Sequence, residues 1–271
     1  GTRFTRAYCQ GTYCGPSRAS FMSGYYPHAT GVLGYKSPRP QIGDRATWSQ
    51  YFMNHGYHAA RVSKIYHMGV PGGIEQGGHG ADDAASWNER YNSPGPEWRA
   101  PGKGETLQGN PDGKRPVVGG NTFVVVEAEG DDLVHSDGKT AVKAAELIGK
   151  FSKQEKPFFL GVGFVRPHVP FVAPKKYYEP FLPYSKMKLP PKIEGDWDDI
   201  PKPGINYCTS LNMKMDIRKQ KKAVGGYYAS VAFVDAQVGK VMAALKASGQ
   251  EDNTIVIFTS DHGFHLGEHD F

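Results

Sequence analysis

The chain has 271 residues, enough for one large domain, and its 32 Lys and Arg against 27 Asp and Glu give a formal net charge of +5. These charges form no basic stripe, so nucleic acid is not a predicted partner, and a hydrophobic fraction of 39% with three cysteines excludes both a disordered chain and a disulfide scaffold. The longest nearly apolar run, residues 158–165, is too short for a membrane span, which takes about 20 residues.

Helical patterns precede apolar runs of strand length three times along the chain. The pairs are 47–55 with 57–62, 138–151 with 157–164, and 221–247 with 254–259. We expect Gly56 to close the first helix and Asp137 to be the N-cap of the second. The segments 69–120 and 180–203 are rich in Gly and Pro and are predicted to be long loops. The alternation predicts an α/β fold with a mainly parallel sheet flanked by helices.

Polar residues follow the predicted end of each strand. Lys64 and His67 follow the first strand, the segment RPHVP at 166–170 follows the second, and Asp261 and His262 follow the third. Ligands of open α/β sheets bind at the carboxyl edge of the strands. We therefore expect these residues to contribute to one shared site.

The motif CGPSR at residues 14–18 is the most specific feature of the sequence. A proline two residues after Cys14 suits the first turn of a helix, where its missing N–H costs nothing. Cys14 then lies at a helix N-terminus, where free amides and the helix dipole favour an anion. Arg18 lies about one turn further along and can lean back towards that end. The motif therefore predicts a small anion site that combines a thiol with a cation.

This motif resembles the Cys-x-Pro-Ser-Arg signature of the type I sulfatases, in which the cysteine is oxidised to formylglycine. Three further segments resemble segments of that family in the same order, so the resemblance covers nearly the whole chain. They are SKIYHMG at 63–69, FLGVGFVRPHVPF at 159–171 and SDHGFHLGEH at 260–269. The setting of His168 and the segment YYASVAFVD at 227–235 are most similar to the iduronate-2-sulfatase branch and its bacterial relatives. The resemblance implies an alkaline-phosphatase-like sulfatase core.

The resemblance implies hydrolysis of a sulfate ester, on a sulfated sugar, by the hydrated formylglycine derived from Cys14. One hydroxyl of the hydrate attacks sulfur, and deprotonation of the other regenerates the aldehyde and releases sulfate. A divalent cation assists by lowering the pKa of the hydrate. Its implied ligands are residue 14, Asp261 and His262. Calcium is the expected ion, although calcium prefers oxygen ligands and the nitrogen of His262 leaves another divalent cation open.

The remaining site residues are also implied by the resemblance. Lys64 and Arg18 hold the charge of the hydrate and the sulfate, and His67 is the candidate base. His168 is the candidate contact to sulfate or the acid for the leaving group. A formylglycine-generating enzyme is the implied maturation partner. The resemblance implies a periplasmic or secreted location, as is usual for the family. A lysosomal location is less expected, because the sequence has no N-x-Ser/Thr glycosylation sequon.

Parts of the family pattern have no counterpart in this sequence. No acidic residue precedes Cys14, where the family has an acidic pair, and the family's lysine after the metal segment is also absent. We therefore expect residues 1–271 to be a partial sulfatase catalytic domain, truncated at both ends, without the first strand unit and the C-terminal subdomain. Two alternative functions stay open: a formylglycine phosphonate monoester hydrolase or phosphodiesterase, and a catalytically inactive sulfoglycan-binding fragment.

Other acidic and histidine residues are assigned to structure rather than to chemistry. His262, His265 and His269 have a spacing that would suit zinc, but no HExxH helix accompanies them, so a separate zinc site is disfavoured. The acidic pairs at 82–83 and 131–132 are expected to be caps or surface turns.

Overall fold

A computed structural model describes residues 1–108, 122–205 and 213–271. In these ranges the chain forms seven α-helices, six β-strands and several short 3-10 helices. The α-helices are α1 (Cys14–Ser23), α2 (Pro27–Thr30), α3 (Arg39–Ile42), α4 (Trp48–Asn54), α5 (Gly72–Gln76), α6 (Ser136–Phe151) and α7 (Ile217–Ala247). The strands are β1 (His58–Ser63), β2 (Glu89–Tyr91), β3 (Gly102–Thr106), β4 (Val124–Ala128), β5 (Phe158–Gly163) and β6 (Phe171–Pro174).

The strands form two three-stranded sheets. The first has the order β2-β1-β5 with both pairings parallel, and β1 pairs with β5 along its whole length. The second has the order β3-β4-β6, in which β3 is antiparallel to β4 and β4 is parallel to β6. The predicted α/β fold with mainly parallel pairing is confirmed. The division into two sheets and the buried strand β4 were not predicted.

Two amphipathic helices cover these sheets. Helix α6 packs on the first sheet, where Leu147, Phe151 and Val62 belong to one buried cluster. Helix α7 packs on the second, where Phe233 and Phe171 belong to another. The apolar residues of α6 recur at three- and four-residue spacing, as one buried face requires. Burial of each such side chain contributes about 1.5–3 kcal/mol. In the described part of the chain, no helix is both long and apolar enough to cross a membrane.

The predicted helices are confirmed with changed ends. The helix predicted at 221–247 begins earlier, at Ile217, because the Asp216 carboxylate caps it by accepting from the Lys219 N–H at 2.8 Å. The helix predicted at 138–151 begins at Ser136. The prediction that Asp137 is its N-cap is therefore wrong. His135 is the N-cap, and Asp137 lies buried in the first turn.

The prediction of a buried strand at residues 254–259 is wrong. The segment has no regular secondary structure, and Ile255 and Phe258 are 89% and 81% exposed. No strand within the described ranges pairs with it. A run of β-branched and aromatic residues becomes a strand only where a neighbouring strand supplies hydrogen bonds and a packing face.

The two loop predictions have different outcomes. Segment 69–120 contains α5, β2 and β3, so its prediction as loop is wrong for these parts, and its residues 109–120 lie outside the described ranges. Segment 180–203 contains only irregular chain and 3-10 turns, as predicted.

The acidic pairs also differ from expectation. Asp82 and Asp83 are buried partners of Arg61 and Arg39 rather than surface turns. Asp131 caps a 3-10 helix, as expected, but Asp132 is a buried acceptor.

Candidate active site

Helix α1 begins at Cys14, as the motif predicts, and holds this residue 6% exposed. Pro16 lies in the first turn, and Gly24 ends the helix in a left-handed conformation with φ of 74°. The second residue has to be a glycine, because a Cβ on Gly15 would lie 2.2 Å from the carbonyl oxygen of Gly34. The sequence thus seats the N-terminus of α1 directly against a neighbouring loop.

The Cys14 thiol contacts the metal segment predicted from the sequence. Its Sγ lies 3.3 Å from Nε2 of His262. Burial alone would raise the pKa of Cys14, but the hydrogen bond with His262 and the charge of Lys64 lower it overall. The same hydrogen bond, together with the charge of Asp261, raises the pKa of His262. Each of the two groups therefore stabilises the charged form of the other.

Arg18 links α1 to two other parts of the site. Its Nε donates to Oδ2 of Asp261 at 2.9 Å, and its Nη1 donates to the carbonyls of Lys64 and Ile65 at 2.6 and 2.7 Å. The Ser17 hydroxyl donates to the carbonyl of Asp261. Although burial would raise it, the pKa of Asp261 is lowered to about 2 by Arg18 and neighbouring charges. Arg18 therefore fixes an ionised carboxylate beside residue 14.

Lys64 is a buried cation placed at the end of β1. The preceding residue, Ser63, has φ of 60°, a left-handed conformation that costs a non-glycine residue about 1 kcal/mol and is common at functional sites. Gly163 on β5 allows the close approach, because a Cβ there would lie 2.2 Å from the Lys64 carbonyl oxygen. Burial, followed by the charge of Arg18, lowers the pKa of Lys64 to about 8. An incoming anion would be a favourable partner for such a charge.

The two candidate catalytic histidines are neutral at pH 7. Burial and the charges of Lys64 and Arg18 lower the pKa of His67 to about 4, and its ring stacks on Tyr35 with centroids 4.0 Å apart. Burial, followed by the charge of Lys64, lowers the pKa of His168 well below its usual value. Nδ1 of His168 is within hydrogen-bond distance of the Val169 carbonyl, which fixes the tautomer with its proton on Nδ1.

Of the seven site residues predicted from the sequence, six lie within contact or electrostatic range of the seventh, Asp261. The seven are Cys14, Arg18, Lys64, His67, His168, Asp261 and His262. Their chemical roles stay predictions. No pattern in the sequence predicted the stacking of Tyr35 on His67. The contact from Ser17 to Asp261 was also not predicted, although Ser17 belongs to the motif.

A family model described as Sulfatase matches residues 1–271. The chain belongs to the sulfatase family. It is 32% identical to a sulfatase of Formosa agariphila over 99% of this chain and 53% of that protein. It is 31% identical to human iduronate 2-sulfatase over 98% of this chain and 49% of that protein. The resemblance noted from the sequence is thereby confirmed, and the chain spans about half the length of the curated relatives it matches.

The fold is also found among solved structures. A phosphonate monoester hydrolase from Silicibacter pomeroyi superposes with a TM-score of 0.67 at 19% identity, covering 96% of this chain and 55% of that one. At this identity the likeness concerns the fold alone. It supports the predicted alkaline-phosphatase-like sulfatase core.

The donor atoms in the site suit one divalent cation. Within the described ranges, Cys14, Asp261 and His262 form the one group of three metal-binding side chains whose ligand atoms lie within 4.8 Å of one another. His265 and His269 are not members, and Nδ1 of His269 instead contacts Asp196 at 2.7 Å. Calcium takes six to eight oxygen ligands, so one carboxylate and one imidazole fit part of such a site. A complete calcium site would need further oxygens.

Proposed function

We propose that this chain is part of the catalytic domain of a sulfate ester hydrolase. The supporting observation is the convergence of a modifiable cysteine at a helix N-terminus with the buried cation Lys64 and two neutral histidines. Such a pocket stabilises a small tetrahedral anion and offers proton acceptors beside it. Because its relatives are about twice as long, we also propose that the first strand unit and the C-terminal subdomain lie outside residues 1–271.

The residues of this chain bind the sulfate group through charge. Lys64 lies buried with a lowered pKa, so the negative charge of a bound sulfate ester restores full protonation of its ammonium group. The free N–H groups at the start of α1 add a second source of positive potential. Arg18 acts on the same anion from the position in which Asp261 and two carbonyls hold it.

The two histidines divide the proton transfers. His67 is neutral and its buried Nδ1 has no hydrogen-bond partner among the described residues, so it can accept a proton at the nucleophile. His168 keeps its Nδ1 proton on the Val169 carbonyl, so Nε2 is the atom that gains a second proton. The charge of bound sulfate raises the pKa of His168 and favours this protonated form, which can then donate to the leaving oxygen.

Two groups implied by the family complete the chemistry. Formylglycine at position 14, made by a formylglycine-generating enzyme, supplies the oxygen nucleophile in place of the thiol. A divalent cation held by Asp261, His262 and residue 14, with calcium as the family-typical choice, supplies Lewis acidity. We propose a sulfated sugar as the substrate, on the likeness to iduronate 2-sulfatase. Because such glycans lie outside the cytoplasm, we also propose a periplasmic or secreted location.

Mass spectrometry of the Cys14 peptide and turnover of an aryl sulfate test this function together. The full-length protein, coexpressed with the modifying enzyme, should carry formylglycine at position 14 and hydrolyse the sulfate faster than a phosphonate or phosphodiester analogue. Cys14→Ala should abolish turnover, whereas Cys9→Ala, a change at an exposed free cysteine, should leave it intact.

Two results would favour the alternatives. Faster turnover of the phosphonate analogue would assign the site to a phosphonate monoester hydrolase. An unconverted thiol together with binding of sulfoglycan and no turnover would assign it to an inactive binding module.

A further inference from the structure

The Asp137 carboxylate accepts hydrogen bonds from the backbone of a loop that is distant in sequence. The side chain lies in the first turn of α6 and is 1% exposed. Its two oxygens accept the backbone N–H groups of Val165 at 2.7 Å and of Arg166 at 2.9 Å. These residues open the loop 165–170, which connects β5 to β6 and carries His168. The carboxylate therefore fixes the beginning of this loop rather than capping the N-terminus of its own helix.

The Arg166 side chain fixes the remainder of the same loop. Its Nη1 donates to the carbonyl of His168 at 2.7 Å and to the carbonyl of Pro170. Its Nη2 donates to the Glu97 carboxylate, and the two side chains are 3% and 2% exposed. Glu97 thus anchors the guanidinium from outside the loop. The His168 N–H in turn donates to the Val165 carbonyl at 3.0 Å.

We propose that Asp137, Arg166 and Glu97 are positioning residues, which hold the loop 165–170 so that the His168 ring is presented to the substrate. The proposal rests on the proposed function, because it takes His168 as the group that meets the sulfate ester. Asp137 and Arg166 form their hydrogen bonds to the loop through its main-chain atoms, before and after His168. Besides burial, the charge of Arg166 also helps to lower the pKa of His168. Of the three, only Arg166 belongs to the segments from which the chemistry was predicted.

The choice of charged groups supports positioning over simple packing. Burying a carboxylate or guanidinium costs several kcal/mol before its partners are counted, and apolar side chains would fill the same space at lower cost. Charge-assisted hydrogen bonds, unlike apolar contacts, fix both distance and direction. Displacement of a catalytic group by about 1 Å can lower a rate by about 100-fold. The need to place His168 precisely explains why three buried ionisable side chains bond to, or anchor, a loop of six residues.

A double-mutant cycle on the full-length, formylglycine-containing protein tests the proposal. Asp137→Asn keeps the shape but replaces one acceptor oxygen by a donor, so kcat should fall by about 10- to 100-fold. In the His168→Ala background the same change should lower kcat by less than about 3-fold, because its target is gone. Equal losses in both backgrounds would overturn the proposal.

Asp132→Asn is the matched control. This buried carboxylate bonds to Lys240 and Gln237 on α7. Its hydrogen bonds and ion pairs to described residues do not include the loop 165–170. It should lower the thermal midpoint, yet its effect on kcat should be the same with and without His168. Glu97→Gln is the milder second variant for the case in which Asp137→Asn does not fold, and it should show the same dependence on His168.

The ring resonance of His168 gives a readout that does not need turnover. In ¹³C-histidine-labelled protein, assigned through His168→Ala, Asp137→Asn should displace the Cε1–H signal of His168 and Asp132→Asn should not. An unmoved signal in Asp137→Asn would overturn the positioning role. Absence of sulfate ester turnover in the wild type would refute the proposed function instead, and the resonance would still decide the positioning.

Discussion

Two segments of the chain have similar strand-forming sequences, but only one of them forms a strand. Residues 158–163 form the strand β5, which pairs with β1 and leads into the loop that carries His168. Residues 254–259 form no strand and expose Ile255 and Phe258, yet Asp261 and His262 lie only two and three residues after them. Both segments deliver site residues to the same place. The first does so through a sheet, whereas the second does so through side-chain contacts to α1.

The contacts to α1 explain how Asp261 is placed without a strand. Arg18 and Ser17 bond to the carboxylate and carbonyl of Asp261, and Cys14 bonds to His262. Three residues of the CGPSR motif, Cys14, Ser17 and Arg18, therefore hold residues 261 and 262 in place. The motif therefore organises the site as well as supplying the proposed nucleophile, and we expect the two segments to respond differently to substitution.

The largest effect is expected from Asp261→Asn, which removes the negative charge that pairs with Arg18 and that the proposed cation would require. We expect kcat/KM to fall at least ~100-fold, on the scale of several kcal/mol that a metal ligand contributes, and calcium titration to show weakened binding. Asp270→Asn is the matched control, since its carboxylate pairs with the exposed Lys192. Activity of Asp261→Asn near that of the control would show that Asp261 is not a metal ligand.

Arg18→Lys is a milder test of how Arg18 anchors Asp261. A lysine keeps the charge but cannot reproduce bonds to a carboxylate and two carbonyls at once. We expect kcat/KM to fall by about 10-fold, the scale of one charge-assisted hydrogen bond. Arg39→Lys, at an ion pair with Asp83 that includes none of the predicted site residues, should lower stability and leave kcat/KM unchanged. Kinetics of Arg18→Lys equal to wild type would contradict the anchoring role.

The pH dependence of kcat/KM probes the side of the site that the first sheet holds. Because the pKa of Lys64 is lowered to about 8, its ammonium group loses its charge as the pH rises through that value. We expect kcat/KM to fall above about pH 8 by roughly 10-fold per pH unit. Lys64→Arg should remove this alkaline limb, whereas Lys222→Arg, at a buried pair with Glu105, should retain it. An unchanged limb in Lys64→Arg would assign it to another group.

The smallest effect is expected where the two segments differ most in burial. Phe258→Ser in the 271-residue chain should change the free energy of unfolding by less than ~0.5 kcal/mol. Phe159→Ser on β5 removes contacts with Trp48 and Trp87 and should cost about 3 kcal/mol. Urea denaturation of both variants measures the difference. Equal losses would mean that residues 254–259 are packed against the rest of the chain.

Much of the site could be predicted because its chemistry is local in sequence. Cys14, Pro16 and Arg18 define a helix start and an anion site within five residues, and the family segments add Lys64, His67, His168, Asp261 and His262. The structure places the predicted site residues other than Asp261 within contact or electrostatic range of Asp261. The tautomer of His168 and the lowered pKa of Lys64 could not be predicted, since both depend on the burial and neighbours that folding provides.

By itself, the sequence determined the family, the helix that begins at Cys14 and the mainly parallel α/β fold, because these follow from short-range patterns of turn, cap and apolar residues. Only the tertiary structure decided whether residues 254–259 form a strand, because a strand depends on a partner elsewhere in the chain. It also decided the role of Asp137. A carboxylate early in a helix can cap its own backbone or bond to another segment, and here the loop 165–170 takes both of its oxygens.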